Sequence, residues 1–385
     1  MVSFQLTEEQ VAIRDLARKF TQKEIIPVAA EYDENSEMPW PVIQKAYEVG
    51  LWNLNIPEQY GGQGLDELTQ ILVYEELAYG CLGIFGAFGA NALAVTPLLV
   101  AGTEDQKERF LKPFCAKPSL AAFALTEPNA GSDVASLSTT ARRDGNEYVL
   151  NGTKCFITHG GIADLYTIFA TTDKSKGAKG ITAFIVPGSS PGLYMGKKEN
   201  KMGDRASHVA EVIVEDVRVP ADNLLGNEGD GFKIAMRTLD ITRPTIAAAA
   251  VGVARRAFEE ALKYAQQRVQ FGKPIIANQA IQFMLADMAI GIESARALVW
   301  RAAWHVAQGQ PSTIFSAMAK CYASDLAMKV TVDALQIFGG YGYMKDYPVE
   351  KLVRDAKITQ IYEGTNQIQR IVIANQLLKG GIVNN

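Results

Sequence analysis

After Pro118 the hydrophobic pattern of this chain changes period, and near Gly231 it changes back. One uniform layer of helix or sheet cannot satisfy both periods, so the chain must build helices, then strands, then helices. In the first third, Thr7 and Gln10 form a capping-box pattern, and Ile13, Leu16, Ala17 and Phe20 recur on one helical face. Pro27 breaks or kinks this region. A further helix precedes Gly50, residues 57–64 form a Gly/Pro loop, and helices are expected over 67–79 and 91–116. The middle block has short β-type runs around Asp144-Gly145 and Asn151-Gly152, two strong hairpin signals. Further runs follow at 165–171, 180–186 and 209–214. Beyond Gly231, segments 233–267, 277–308 and 312–338 are rich in Ala, Leu, Met and Lys and suit antiparallel bundle helices. The glycine turn 339–342 ends the third, and a last helix is expected over 365–378. The expected fold is α+β and multidomain: helical over 1–118, antiparallel β over 119–225, and a four-helix bundle over 226–385.

Several function classes lose support on composition and spacing. A net charge of −4 without a long basic run gives no footprint for nucleic acid. Cys81, Cys115, Cys155 and Cys321 are far apart and show no CxxC spacing, so they read as free thiols of a reducing, cytoplasmic compartment. His159, His208 and His305 form no HExxH pair, and no metal site is expected. The lead-in from Met1 to Gln10 has neither a signal core nor an Arg-rich transit pattern. No apolar run reads as long enough to span a bilayer, so no membrane partner is expected. There is no GxSxG elbow, no GxGxxG after a strand and no P-loop.

Three stretches carry candidate chemistry. In the run from Phe123 to Asp133 a strand delivers Thr126 into a loop where Pro128 sets the turn, Gly131 permits close backbone approach and Ser132 offers a hydroxyl and an amide. A plain polar turn would use the same residues. In the run from Lys154 to Gly161, Phe156 and Thr158 share a strand face, a ring to stack and a hydroxyl to bond; core packing is the alternative. In the run from Arg354 to Gln369, Glu363 follows Ile361-Tyr362 and precedes Gly364 and the N-cap candidate Thr365. That carboxylate either complements the helix dipole or, half-buried beside an apolar cleft, is a base with raised pKa.

In this order and at these separations the stretches resemble the acyl-CoA dehydrogenase family, from about residue 5 to residue 378. The likeness rests on Thr126-Glu-Pro128 with Ala130-Gly-Ser-Asp133, on Gln266-Gln-Arg-Val-Gln-Phe-Gly272, on Gln336-Ile-Phe-Gly-Gly-Tyr-Gly342, and on the run from Arg354 to Thr365. Glu24 to Asp33, Glu75 to Cys81 and Thr242-Arg-Pro244 look most like medium-chain members, and other features like bacterial butyryl-CoA dehydrogenases. The resemblance implies FAD between the β domain and the bundle, contacted by Phe123, Leu125, Thr126, Gly131, Ser132, Phe156 and Thr158, with Thr365 and Gln367 completing the site. It implies a homotetramer, a dimer of dimers, in which Arg268, Phe271, Gln336 and Gly340 reach the neighbouring subunit's FAD. Phe156 stands where many relatives carry Trp, so an aromatic face is kept. Ser132 resembles a pantetheine contact. Asp240 and Arg243 resemble contacts to the CoA part, though a helix-surface ion pair is their plain reading. Tyr362 and Gly364 flank the acid at the substrate.

By the same resemblance Glu363 removes a proton α to the thioester of a short- or medium-chain acyl-CoA, giving the trans-2-enoyl-CoA, with electrons passing through FAD to an electron-transfer flavoprotein. Branched-chain enzymes that carry the base at the position of Thr242 are not matched, since that residue is threonine here. Glutaryl-CoA enzymes place an arginine in a pocket helix that has no charge here over residues 84–97. Two rivals remain: an enoyl-CoA reductase working in reverse with a bifurcating electron-transfer flavoprotein, and a catalytically inactive binding protein of flavin fold.

Overall fold

The computed structural model describes residues 5–380; the lead-in Met1 to Phe4 lies outside the described residues. Helices α1 (Glu8–Phe20), α2 (Ala29–Asn35), α3 (Trp40–Glu48), α4 (Glu67–Gly80), α5 (Leu82–Ala101) and α6 (Glu104–Cys115) come first. α1 begins where the capping box predicts: the Thr7 hydroxyl accepts the Gln10 N–H, and the Gln10 side chain accepts the Thr7 N–H. Around Pro27 the helix gives way to a π turn over Thr21–Ile25 and a 3₁₀ turn over Ile26–Val28.

Two expectations for this region need correction. The single helix over 91–116 is instead α5 and α6, because Gly102 is extended and Thr103 opens a second capping box with Gln106. A bilayer-length apolar segment is also present: α5 is a 20-residue helix without a charged side chain. Most of it is buried, packed on α4 and on later elements of the chain, and this burial accounts for its composition.

The strands are β1 (Ala121–Ala124), β2 (Thr140–Asp144), β3 (Glu147–Thr158), β4 (Leu165–Thr171), β5 (Ile181–Pro187), β6 (Leu193–Lys198), β7 (Val209–Pro220) and β8 (Leu224–Leu225). They form an 8-stranded sheet in the order β6-β7-β3-β2-β4-β5-β8, with β1 against β4. Pairing is antiparallel except where β1 and the first residue of β2 meet β4 in parallel. Asp144-Gly145 makes the β2–β3 hairpin, with Gly145 at φ 63°. Asn151-Gly152 does not turn the chain. It sits inside β3 at a register slip, where a side chain on Gly152 would strike Thr139 and the Asn151 amide is taken up by Asp216 of β7.

The last part contains α7 (Gly231–Gln267), the hairpin β9 (Val269–Gln270) and β10 (Lys273–Pro274), then α8 (Gln279–Ala307), α9 (Thr313–Phe338), α10 (Val349–Thr359) and α11 (Asn366–Leu378). α7, α8 and α9 pack on one another, and α11 lies against α9. The alanine run 247–250 and Gly252 let α7 approach α4 so closely that a Cβ on Gly252 would sit 2.3 Å from the Glu75 carbonyl.

Candidate active site

The turn between α10 and α11 carries Tyr362, Glu363 and Gly364 to the N-cap Thr365, whose hydroxyl accepts the Ile368 N–H at 3.3 Å. Glu363 and Gly364 both have positive φ, 51° and 92°. Glycine adopts that region freely, but for glutamate it costs on the order of 1 kcal/mol, so the surroundings must hold it there. They do so through the carbonyls. Lys320 Nζ of α9 donates to Gly364 O at 2.8 Å and to the buried Asn366 side chain at 3.0 Å. Gln369 Nε2 donates to Gly364 O at 3.0 Å, and Arg243 Nε of α7 reaches Glu363 O at 3.4 Å.

So held, the Glu363 side chain turns toward α7, where Thr242 Oγ1 donates to Oε2 at 2.9 Å. The residue is half-buried, with protein packed closely enough that desolvation pushes its pKa up to about 7. The Thr242 bond and the charges of Arg243 and Lys320 oppose that rise without cancelling it. Asp240 and Arg243 are not a free surface pair: Arg243 is buried, its Nη1 is 2.5 Å from Asp240 Oδ1, and Asp240 also accepts from Thr313.

A second carboxylate lies nearby that sequence reasoning missed. Glu67, the first residue of α4, is buried and accepts the Thr245 hydroxyl at 3.1 Å, one turn along α7 from Thr242. Burial pushes it up to about 8; Thr245 pulls the other way and the Glu363 charge adds to the rise. In sequence, Asp66-Glu67 reads as an N-cap followed by a dipole-complementing acid, and nothing local signals that Glu67 turns inward. Lys320, a mid-helix lysine, gave no signal either.

At the β domain, Phe156 lies at the slip between Lys154 and Ile157 of β3, at φ 58°, and the residue is 65% exposed. The bulge turns this aromatic outward instead of into the core. Thr158 follows, partly buried, and Thr126 is tied to the same strand by the Cys155 N–H at 3.0 Å. Gly131 and Ser132 are exposed, and a Cβ on Gly131 would meet nothing. Beneath them Glu127 and Lys154 form a buried pair at 2.7 Å. Desolvation opposes the Glu127 charge, but Lys154 and the donors of Ser138 and Thr139 outweigh it and hold the carboxyl down to about 2. Of the other two expected contacts, Leu125 is buried and Phe123 is partly buried, its ring 5.0 Å from that of Phe169.

At the bundle end, Arg268 and Gly340 line one cavity of about 480 Å³ with Tyr264, Gln270 and Tyr341, and the Arg268 guanidinium lies over the Tyr341 ring at 5.4 Å. Phe271, in the turn joining β9 to β10, is 99% exposed at φ 52°. Gln336 and Gln367 are exposed on α9 and α11.

Comparison with known proteins shows the family. The models for the N-terminal, middle and C-terminal domains of acyl-CoA dehydrogenase match residues 7–118, 122–217 and 229–378. An acyl-CoA dehydrogenase of Bacillus subtilis is 49% identical over 97% of this chain and 99% of its own. The short-chain specific acyl-CoA dehydrogenase of Megasphaera elsdenii is 48% identical over 98% of this chain and 100% of its own. The solved butyryl-CoA dehydrogenase of M. elsdenii superposes with a TM-score of 0.95 at 48% identity, covering 98% of this chain and 100% of that one. A chain in the structure described as the electron transferring flavoprotein of Acidaminococcus fermentans gives 0.96 at 50% identity, covering 98% and 100%. The chain belongs to the acyl-CoA dehydrogenase family of FAD-dependent oxidoreductases.

Proposed function

We propose that this acyl-CoA dehydrogenase oxidises short- to medium-chain acyl-CoA, centred on C4 to C8, with Glu363 as the base. The observation that carries the reading is Glu363 itself: a half-buried carboxyl with a pKa near 7, held by Thr242 on one oxygen. A general base works best when its pKa lies near the working pH. Thr242 occupies Oε2, which leaves Oε1 to take the α-proton of the thioester. Among the described residues the Glu363 N–H makes no backbone hydrogen bond, and it serves as a donor to the thioester oxygen as enolate charge develops. Tyr362 and Gly364 flank the acyl group, while Arg243, Asp240 and Ser132 bind the CoA part.

Bound FAD would supply the hydride acceptor for the β carbon. The chain's residues fit it. Phe156 offers an unpacked ring for a flat heterocycle, the loop at Gly131 is open to close approach, and Thr126, Ser132 and Thr158 supply hydroxyls. Thr365 and Gln367 stand at the start of α11, where amides face outward. Arg268, Phe271, Gln336 and Gly340 reach the FAD of a neighbouring copy in a homotetramer, and the fully exposed Phe271 ring supports that reading. The partner is an electron-transfer flavoprotein, and the free thiols suit the cytoplasm. The likeness to the Acidaminococcus structure, whose description names flavin-based electron bifurcation, favours a second reading in which the same site reduces enoyl-CoA.

The test is anaerobic titration of the purified yellow protein with acyl-CoAs from butyryl to palmitoyl. Butyryl- to octanoyl-CoA should bleach the flavin band and palmitoyl-CoA should not. A protein that takes up no FAD, or a flavin bleached only by palmitoyl-CoA, contradicts the proposal.

A further inference from the structure

Glu127 and Lys154 are fully enclosed, yet neither enters the chemistry described above. Burying two ions costs several kcal/mol each, and well-packed apolar residues of similar volume often do as well or better for stability. An apolar pair, however, cannot fix the direction of carbonyls. Lys154 Nζ donates to Leu125 O at 3.1 Å and to Glu127 Oε1 at 2.7 Å, the two residues flanking Thr126. Glu127 Oε1 also accepts the Thr139 N–H at 2.9 Å, and Oε2 accepts the N–H and hydroxyl of Ser138 at 2.5 and 2.7 Å. Glu127 and Ala130 exchange both backbone bonds at 3.1 Å, closing the turn from which Gly131 and Ser132 project. The pair therefore joins the end of β1, the approach to β2 and the middle of β3. Lys154 also marks the last regular pairing of β3 with β7 before the slip that exposes Phe156.

We propose that the buried Glu127–Lys154 pair is a positioning device for the flavin: it locks the loop of Thr126, Gly131 and Ser132 in register with the bulge that presents Phe156. Neither residue touches the cofactor; both act through that loop and strand. The inference rests on the flavin-facing role of Phe156 proposed above.

The test compares four holoenzyme variants by thermal melting, FAD dissociation constant and visible circular dichroism of the bound flavin. In Glu127→Gln/Lys154→Met both charges leave together and no lone buried ion remains, so melting should fall less than in Lys154→Met alone; the residual loss comes from Leu125 O, left without its donor, and from a buried N–H of Ser138 or Thr139 that now faces the amide nitrogen. The FAD dissociation constant should nonetheless rise about tenfold, roughly the worth of one misplaced hydrogen bond, and the flavin dichroism should change. Glu127→Asp keeps both charges but shortens the reach, so it guards against a double variant that does not fold; it should shift the dichroism in the same direction. Lys154→Met alone should lose both melting temperature and FAD, since it strands a buried carboxylate. Wild-type FAD affinity and dichroism in both the double variant and Glu127→Asp would make the pair purely structural and overturn the inference. Phe156→Ala separates the two levels: if it leaves the flavin dichroism untouched, the flavin-site reading itself fails, and if it alters the dichroism while the pair variants do not, only the positioning role fails.

Discussion

Thr242 Oγ1 of α7 donates to Glu363 Oε2 at 2.9 Å, so a residue in the first third of that 37-residue helix orients a carboxylate held on a left-handed turn more than a hundred residues later. The bond favours the ionised acid and limits the rise that burial imposes. Thr242→Val keeps the shape and removes the donor, so the Glu363 pKa should climb further above 7. A hydrogen bond to a charged group contributes about 1.5 kcal/mol or more, which corresponds to about one pH unit. The acid limb of the rate of flavin reduction should move up by about that much, with the rate recovering at pH 9. An unmoved limb would show that Thr242 does not govern the acid.

Glu67 gives a pH dependence of stability with a defined sign. Its folded pKa is raised to about 8 from an unfolded value of about 4.3. Its contribution is therefore fully present below the unfolded value and is lost as pH rises through about 8. Glu67→Gln keeps an acceptor for Thr245 and cannot ionise. The variant should melt at a temperature close to wild type at pH 5 and several degrees above it at pH 9. An offset that stays constant across that range would contradict the burial of an ionisable Glu67.

Arg268 tests the cross-subunit reading. Its guanidinium, over Tyr341 at the cavity with Gly340, suits charge-assisted bonds to a pyrophosphate that no neutral side chain replaces. Arg268→Ala should lose FAD on dilution, followed by gel filtration with absorbance at the flavin band. A monomeric Arg268→Ala protein with wild-type FAD affinity would rule out the assignment.

What the sequence revealed was local. The Thr7–Gln10 box, the Asp144-Gly145 hairpin and the three long helices depend on neighbours in the chain, and each lies where its pattern put it. Asn151-Gly152 misled because the same dipeptide that makes a turn also suits a bulge, and only the partner strand at Asp216 decides between them. Glu67 and Lys320 were invisible for a related reason. Their partners, Thr245 and Gly364, are distant in sequence, and an acid at a helix start or a lysine in a helix looks solvated until the packing is known. The surroundings of Phe123 and Leu125 were hidden in the same way, since the contact with Phe169 and the burial of Leu125 depend on a strand more than forty residues later and on the packing around it.

The central claim is that Glu363 is the base, and Glu363→Gln tests it by keeping volume and a carbonyl oxygen while removing basicity. The measurement is stopped-flow flavin reduction by butyryl- and octanoyl-CoA, wild type against Glu363→Gln at matched FAD occupancy, from pH 5.5 to 9. A positioned general base contributes on the order of 10²–10⁴ in rate. Reduction should slow at least that far, and the wild-type acid limb near pH 7 should be absent from the residual rate. Reduction within a few-fold of wild type, with the limb intact, would show that the proton leaves to another group.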